Sequence, residues 1–477
     1  MCREITKIIE MKKLIGNKQF YKMVLAVAVP IMIQNGITNF VSLLDNVMVG
    51  AVGTEQMSGV AIVNQLIFVY NLCVFGAVSG AGIFTAQFFG QKNHEGVRNT
   101  FRYKLVACGI ATILAILIFI LFGEDLILLY LHEGSTSGSI KATLKYGQEY
   151  LWIMLTGLIP FVIVQAYAST LRETGETMMP MRAGVVAVFV NLILNYILIF
   201  GKFGAPVLGA SGAAIATVIS RFVECAIVVI WTHKHKAENT FIDGAYRTLK
   251  MPASLAGKIT IKGMPLLVNE TLWGLGMATL MQSYSVRGLA VVAGLNISST
   301  IANIFNISFI ALGSSVAIVV GQLLGAGKME EAKDTAYKMI AFSVASCIAL
   351  GVIMILMSPL FPKFYNTSDE VRELAKGFII ISACAMPLQA FLHASYFTIR
   401  SGGKTLITFL FDGVYMWVFT IPIAYCLTRF TSYQILPIYF VCQFSDIVKC
   451  IVGYVLVTKG VWLHNIVGKQ NEPLNAE

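Results

Sequence analysis

Three stretches of this chain admit only one kind of surroundings. "LVACGIATILAILIFILF" (105–122), "AGVVAVFVNLILNYILIFG" (183–201) and "MIAFSVASCIALGVIMILMSPLFP" (339–362) run for 18, 19 and 24 residues without a charge. A helix of ~20 apolar residues, rising ~1.5 Å per residue, crosses the ~30 Å hydrocarbon core of a bilayer. Runs of this kind recur from end to end. The chain as a whole is 57% hydrophobic and 13% charged, against about 25% charged in an ordinary soluble domain. Short strands at outer-membrane spacing are absent. We therefore expect an all-α polytopic membrane protein with twelve spans, at roughly 24–50, 57–86, 104–123, 147–170, 183–201, 209–231, 262–286, 291–320, 338–361, 374–398, 406–428 and 433–457.

The net charge of +10 would point to nucleic acid in a soluble protein. Here its distribution follows topology. The segment before span 1 carries Arg3, Lys7, Lys12, Lys13, Lys18 and Lys22. The loop after span 2 carries Lys92, Arg98, Arg102 and Lys104, and the loop after span 6 carries six more. In all, 25 basic residues fall on one side and eight on the other. The positive-inside rule then places both termini in the cytoplasm of a cell-membrane protein and removes any need for a nucleic-acid partner. A cleavable signal peptide is not expected, because the N-terminal tail is long and basic and the first apolar segment exceeds an h-region. The nine cysteines form no CxxC and mostly sit in apolar spans, where they act as small hydrophobes.

The polar stretch 233–261 divides the spans into two sets of six. We expect an N-terminal tail over 1–23, an N-lobe over 24–232, a linker over 233–261, a C-lobe over 262–458 and a cytoplasmic tail over 459–477. The two sets repeat. At an offset of 235, Pro30 meets Pro265, Gly53 meets Gly288, and Asn71 meets Asn306. Gln87 and Gly90 of "AQFFGQ" meet Gln322 and Gly325 of "GQLLGAG". At an offset of 228, "TLRETGET" meets "TIRSGGKT", aligning Arg172 with Arg400. An even number of spans per half gives parallel repeats related by an axis along the membrane normal, one of the ways secondary transporters are built.

A duplication supplies its own control: polar positions present in one half only are candidates for specialised chemistry. Asp45 is the one charge between Lys22 and Glu55, and it aligns with Leu280. Asn191 and Asn195 share one face of span 5, four residues apart, and align with Phe419 and Ile423. Asp45, Asn191, Asn195 and Thr217 would offer oxygen ligands for a hard cation such as Na⁺, while a lone buried carboxylate can also carry H⁺. In the C-half, Glu270 aligns with Asn35 and is a candidate for attracting a cationic substrate or taking a proton. Asp412 has no near neighbour in sequence and is a secondary candidate. Arg221 with Glu224, and Asp446 with Lys449, read as ion pairs three apart on one helix. Arg172 and Arg400 read as loop anchors. The six scattered histidines form no HExxH or other catalytic set, so an enzyme is not expected.

These features resemble one family, the multidrug and toxic compound extrusion (MATE) transporters. The resemblance is carried by Pro30, Asp45 and Gly50 in "P-x14-D-x4-G", by "AQFFGQK" with "GQLLGAGK", by "TLRETGETMMP", by "NLILNYILIFGKFGAPVLGASGAAIAT" and by "VNETLWG", in that order over about 20–460. It implies two six-helix lobes around a V-shaped cavity in a monomer. It implies export of organic cations or drugs driven by inward Na⁺ or H⁺, with no cofactor. It assigns the N-lobe cation site to Asp45, Asn191, Asn195 and Thr217. It makes Glu270 the acid of span 7 and Pro30 the point around which span 1 bends. Another acid of some members falls near Gln389, and some carry Asp where Asn195 stands, a departure that favours Na⁺ over H⁺. Alternatives are a lipid-linked oligosaccharide flippase, which carries more spans and a basic cavity, a membrane-embedded enzyme and a passive channel.

Overall fold

In a computed structural model the described residues are 14–131, 140–365 and 367–468. Arg3, Lys7, Lys12, Lys13, His132 and the last nine residues of the expected C-terminal tail lie outside them. The helices are α1 (Lys18–Gly50), α2 (Thr54–Gly90), α3 (His94–Leu128), α4 (Ile140–Thr156), α5 (Leu158–Glu173), α6 (Met178–Phe200) and α7 (Gly209–Lys234). They continue with α8 (Ala253–Ser285), α9 (Leu289–Gly325), α10 (Met329–Met357), α11 (Asp369–Ser401), α12 (Thr405–Phe430), α13 (Ile435–Phe444) and α14 (Ile447–Thr458). Among the described residues there is no β-strand.

Local chemistry sets the ends. Asn93 accepts from the Gly96 N–H at 2.9 Å and so caps α3, and the Ser368 hydroxyl does the same for α11. Gly201 ends α6 in the left-handed conformation (φ 64°), which glycine adopts without steric cost. α3 shows why a bilayer is required. Ile110, Ile113, Leu114, Leu117, Ile118 and Leu121 are exposed along one side, an i, i+3, i+4, i+7 stripe with no protein against it.

Among the described residues ten helices are long and apolar enough to cross a membrane, and the α4–α5 pair, bent by 45°, makes an eleventh if it is one span. The twelfth expected span, 262–286, lies in α8. That helix runs 33 residues, but Lys258, Lys262, Asn269, Glu270 and Gln282 interrupt its apolar character. Two compact units are present. One comprises Val29–Gly82 and Arg98–Leu267; the other contains the rest of the described chain, including Ile83–Val97.

The first unit packs around Tyr70, Phe119, Tyr150, Leu158 and Ile199. Arg102 ties the linker to it, donating to the carbonyls of Gly244 (2.8 Å), Ala245 (3.0 Å) and Lys250 (3.3 Å). Lys104 is not a loop charge. It is fully buried in α3, donating to Ser169 (3.0 Å), Thr170 (3.1 Å) and the Glu173 carboxylate.

In the second unit the repeated motif meets itself. A Cβ on Gly90 would stand 1.9 Å from the Gln322 carbonyl oxygen, and one on Gly325 would stand 1.9 Å from that of Gln87. Both glycines are retained in the duplication because only a bare backbone fits. The buried Gln87 amide donates to the carbonyls of Ser401 (2.9 Å) and His464 (3.2 Å) and accepts from the Ile466 N–H (2.8 Å). The described part of the C-terminal tail is thus docked, with Trp462 fully buried.

Candidate functional site

α1, α6 and α7 bring together the four residues expected to form a cation site. Asn191 and Asn195 are buried, one turn apart on α6. Asn195 donates from Nδ2 to the Asp45 carboxylate at 2.5 Å and to Asn191 Oδ1 at 3.1 Å. In this orientation the Asn191 amide nitrogen faces the Thr217 hydroxyl at 3.2 Å. With the Asn191 amide turned over, its nitrogen donates to both Asp45 oxygens at 3.0 and 3.3 Å and its oxygen accepts from the Thr217 hydroxyl at 3.2 Å. Thus Asp45, Asn191, Asn195 and Thr217 form one contiguous cluster.

The cluster is incomplete in one respect. Asn195 Oδ1 is buried and has no hydrogen-bond partner. A buried acceptor without a donor costs about 1–3 kcal/mol, and an electropositive ligand would supply the missing partner. Two carboxylate oxygens, two amide oxygens and a hydroxyl are the donor set that hard cations prefer. The residues present therefore fit Na⁺. They also fit a proton, which needs only Asp45.

The C-terminal candidates are arranged differently from expectation. Asp412 is not isolated: Lys449 Nζ lies 2.9 Å from its Oδ1, and Asn269 donates to its Oδ2 at 3.2 Å. Asp446 is the weaker partner of Lys449, at 3.9 Å, and accepts from Gln389 at 2.8 Å. The cause is a pair of π-helical segments in α12, Leu410–Val414 and Met416–Thr420. They break the normal register, and the freed Gly413 N–H is taken by Asn269 Oδ1 at 2.8 Å. The Glu270 side chain, next to Asn269 in sequence, makes no hydrogen bond among the described residues. The charges acting on it are those of Arg400 and Asp412.

Three further expectations are corrected. Arg221 does not form its main contact with Glu224. It donates to the Gly157 carbonyl at 3.3 Å, at the break between α4 and α5, and lies over the Phe161 ring; that oxygen also accepts from the Phe161 N–H at 3.3 Å, using both of its lone pairs. Arg172 donates to Gln34 on α1 at 3.3 Å rather than anchoring a loop. Arg400 is buried, with its guanidinium over Phe397. Pro30 lies buried within the continuous helix α1.

Sequence reasoning missed the Lys104–Glu173 pair and the roles of Asn269 and Lys449. A signal for Lys449 was present, since a basic residue at the matching position of both halves (Arg221 and Lys449) is unusual within apolar spans.

Known proteins match along most of the chain. The MatE family model matches residues 30–197 and 265–426, segments that begin at the two repeat prolines. The chain is 25% identical over 415 residues to "Probable multidrug resistance protein NorM" of Thermotoga maritima, covering 86% of each chain. It is 24% identical over 417 residues to "Probable multidrug resistance protein YoeA" of Bacillus subtilis, covering 86% of this chain and 88% of that protein. A crystal structure of a Vibrio cholerae MATE transporter variant superposes with a TM-score of 0.83 over 93% of this chain and 97% of that one, at 18% identity.

Proposed function

The chain belongs to the MatE family, a family of transporters rather than enzymes, and from that premise we propose that it is an antiporter exporting amphiphilic organic cations in exchange for an inward cation bound at Asp45. The relatives' printed names, multidrug resistance proteins, support the drug-like substrate class. The observation that carries the coupling is the unpartnered Asn195 oxygen beside Asp45. A proton would be satisfied by the carboxylate alone, whereas Na⁺ gathers several oxygens. The reading is therefore Na⁺ coupling.

A ligand moves a two-state protein only through unequal affinity for its states. Here the inequality would come from the amides. With the site empty, Asn195 and Asn191 donate to Asp45; with Na⁺ bound, both turn their oxygens inward. That exchange is a rotation of the amide groups in place, and Pro30 supplies a position where α1 lacks one backbone hydrogen bond and can bend. The basic-residue asymmetry supports cytoplasmic termini in the cell membrane. The test is efflux of a cationic dye from vesicles under an imposed Na⁺ gradient compared with an imposed pH gradient. The proposal expects the Na⁺ gradient to drive efflux. Efflux driven only by the pH gradient would refute Na⁺ coupling, and dye leakage only down its own gradient would refute antiport.

A further inference from the structure

Lys449 is seated as a ligand would be. Its ammonium lies 2.9 Å from Asp412 and 3.9 Å from Asp446. The rings of Tyr415 and Phe411 stand 5.5 and 5.9 Å away, within cation–π range. Two carboxylates and two aromatic faces are the composition of a site for an organic ammonium. Nearly every part of this cage is held by a contact that serves its shape. Asn269 fixes Asp412 and the π-helical turn, Gln389 fixes Asp446, and the Tyr415 hydroxyl donates to the Ser445 carbonyl at 2.7 Å. Gly453, one turn beyond Lys449, lets α14 close on Phe411, whose ring would stand 3.2 Å from a Cβ there. Ser395, buried beside Gly453, has a hydroxyl without a partner.

The other half of the duplication has the cation but not the cage. Arg221 aligns with Lys449, yet Gly184 and Val218 stand where Asp412 and Asp446 do. Arg221 meets a carbonyl and one ring instead. The carboxylates and the π-helical register are additions to the C-half alone.

We propose that Asp412, Asp446, Phe411 and Tyr415 form a primary-ammonium site that the chain fills with its own Lys449, and that shortening this side chain opens the site to free alkylammonium ions. This inference stands on the cage geometry and does not depend on what the protein transports.

The experiment uses purified full-length Lys449→Ala in detergent and follows thermal unfolding with added alkylammonium chlorides at constant ionic strength. The variant should unfold below wild type and be stabilised saturably by n-propyl- or n-butylammonium. Tetramethylammonium has no N–H to donate to the carboxylates and should act about tenfold more weakly. Wild type should respond to none of them. Lys449→Met keeps the volume of the stem and guards against a folding failure of Lys449→Ala. Here the preference should invert toward methylammonium. Adding Asp412→Asn should abolish the response in either background. Equal stabilisation by tetramethylammonium, the same response in wild type, or an identical size preference in the two variants would overturn the proposal.

Discussion

Asp45→Asn separates the coupling role of Asp45 from its structural one. The amide has the shape of the carboxylate and can still accept from Asn195, whose Nδ2 lies 2.5 Å from Asp45 Oδ1. The structural cost is the difference between a charge-assisted and a neutral hydrogen bond, about 1 kcal/mol, so folding and expression should persist. Cation binding loses much more. A unit charge ~4 Å from a cation at an effective dielectric of ~20 contributes about 4 kcal/mol, equivalent to about a thousandfold in affinity. The two Asn oxygens and Thr217 remain but cannot replace it. Na⁺ binding, followed by calorimetry on purified protein, should fall by that order, and Na⁺-driven dye efflux in vesicles should drop to the level of empty vesicles. Binding within tenfold of wild type, or efflux at the wild-type rate, would refute the placement of the coupling charge at Asp45.

Other perturbations report on separate parts of the molecule. Glu270→Gln should impair efflux or alter the range of exported dyes, and an unaltered profile would assign Glu270 a structural role. Gly90→Ala and Gly325→Ala each force a Cβ to within 1.9 Å of a carbonyl oxygen and should cost about 1–3 kcal/mol by overpacking. Gly109→Ala in α3 has open space and should leave the unfolding temperature unchanged or raised. Lys104→Met removes the ammonium that faces the Glu173 carboxylate and should cost about 3–5 kcal/mol, with much of the loss recovered in Lys104→Met/Glu173→Leu. Arg102→Ala releases three linker carbonyls and should make residues 244–250 a site of rapid proteolysis.

What the sequence made legible was what is written along it. Apolar runs mark the spans, and identities at a nearly constant offset mark the duplication. The unmatched polar residues Asp45, Asn191 and Asn195 meet Thr217 in space because the i, i+4 spacing puts both asparagines on one face of α6. What stayed hidden depends on which helices touch and how they are wound. The i, i+3 spacing favours Asp446 as the partner of Lys449, but the π-helical turns of α12 carry Asp412 closer. The same spacing favours Glu224 as the partner of Arg221, but a helix break 64 residues earlier brings the Gly157 carbonyl within its reach. Lys104 lies near the expected start of a span, where charge usually meets water, yet it is enclosed by α3 and α5.

The meeting of Gly90 with Gln322, and of Gly325 with Gln87, is reciprocal: each position of one repeat faces the other's counterpart. That is the signature of an isologous contact, the kind a two-fold homodimer makes with itself. The chain therefore behaves at this point as two copies of one ancestral subunit joined in tandem. Fusion has made their association intramolecular, so it no longer depends on concentration. It has also freed the copies to diverge: the Asp45 cluster lies in one half and the lysine-filled cage in the other, an asymmetry no true homodimer could encode.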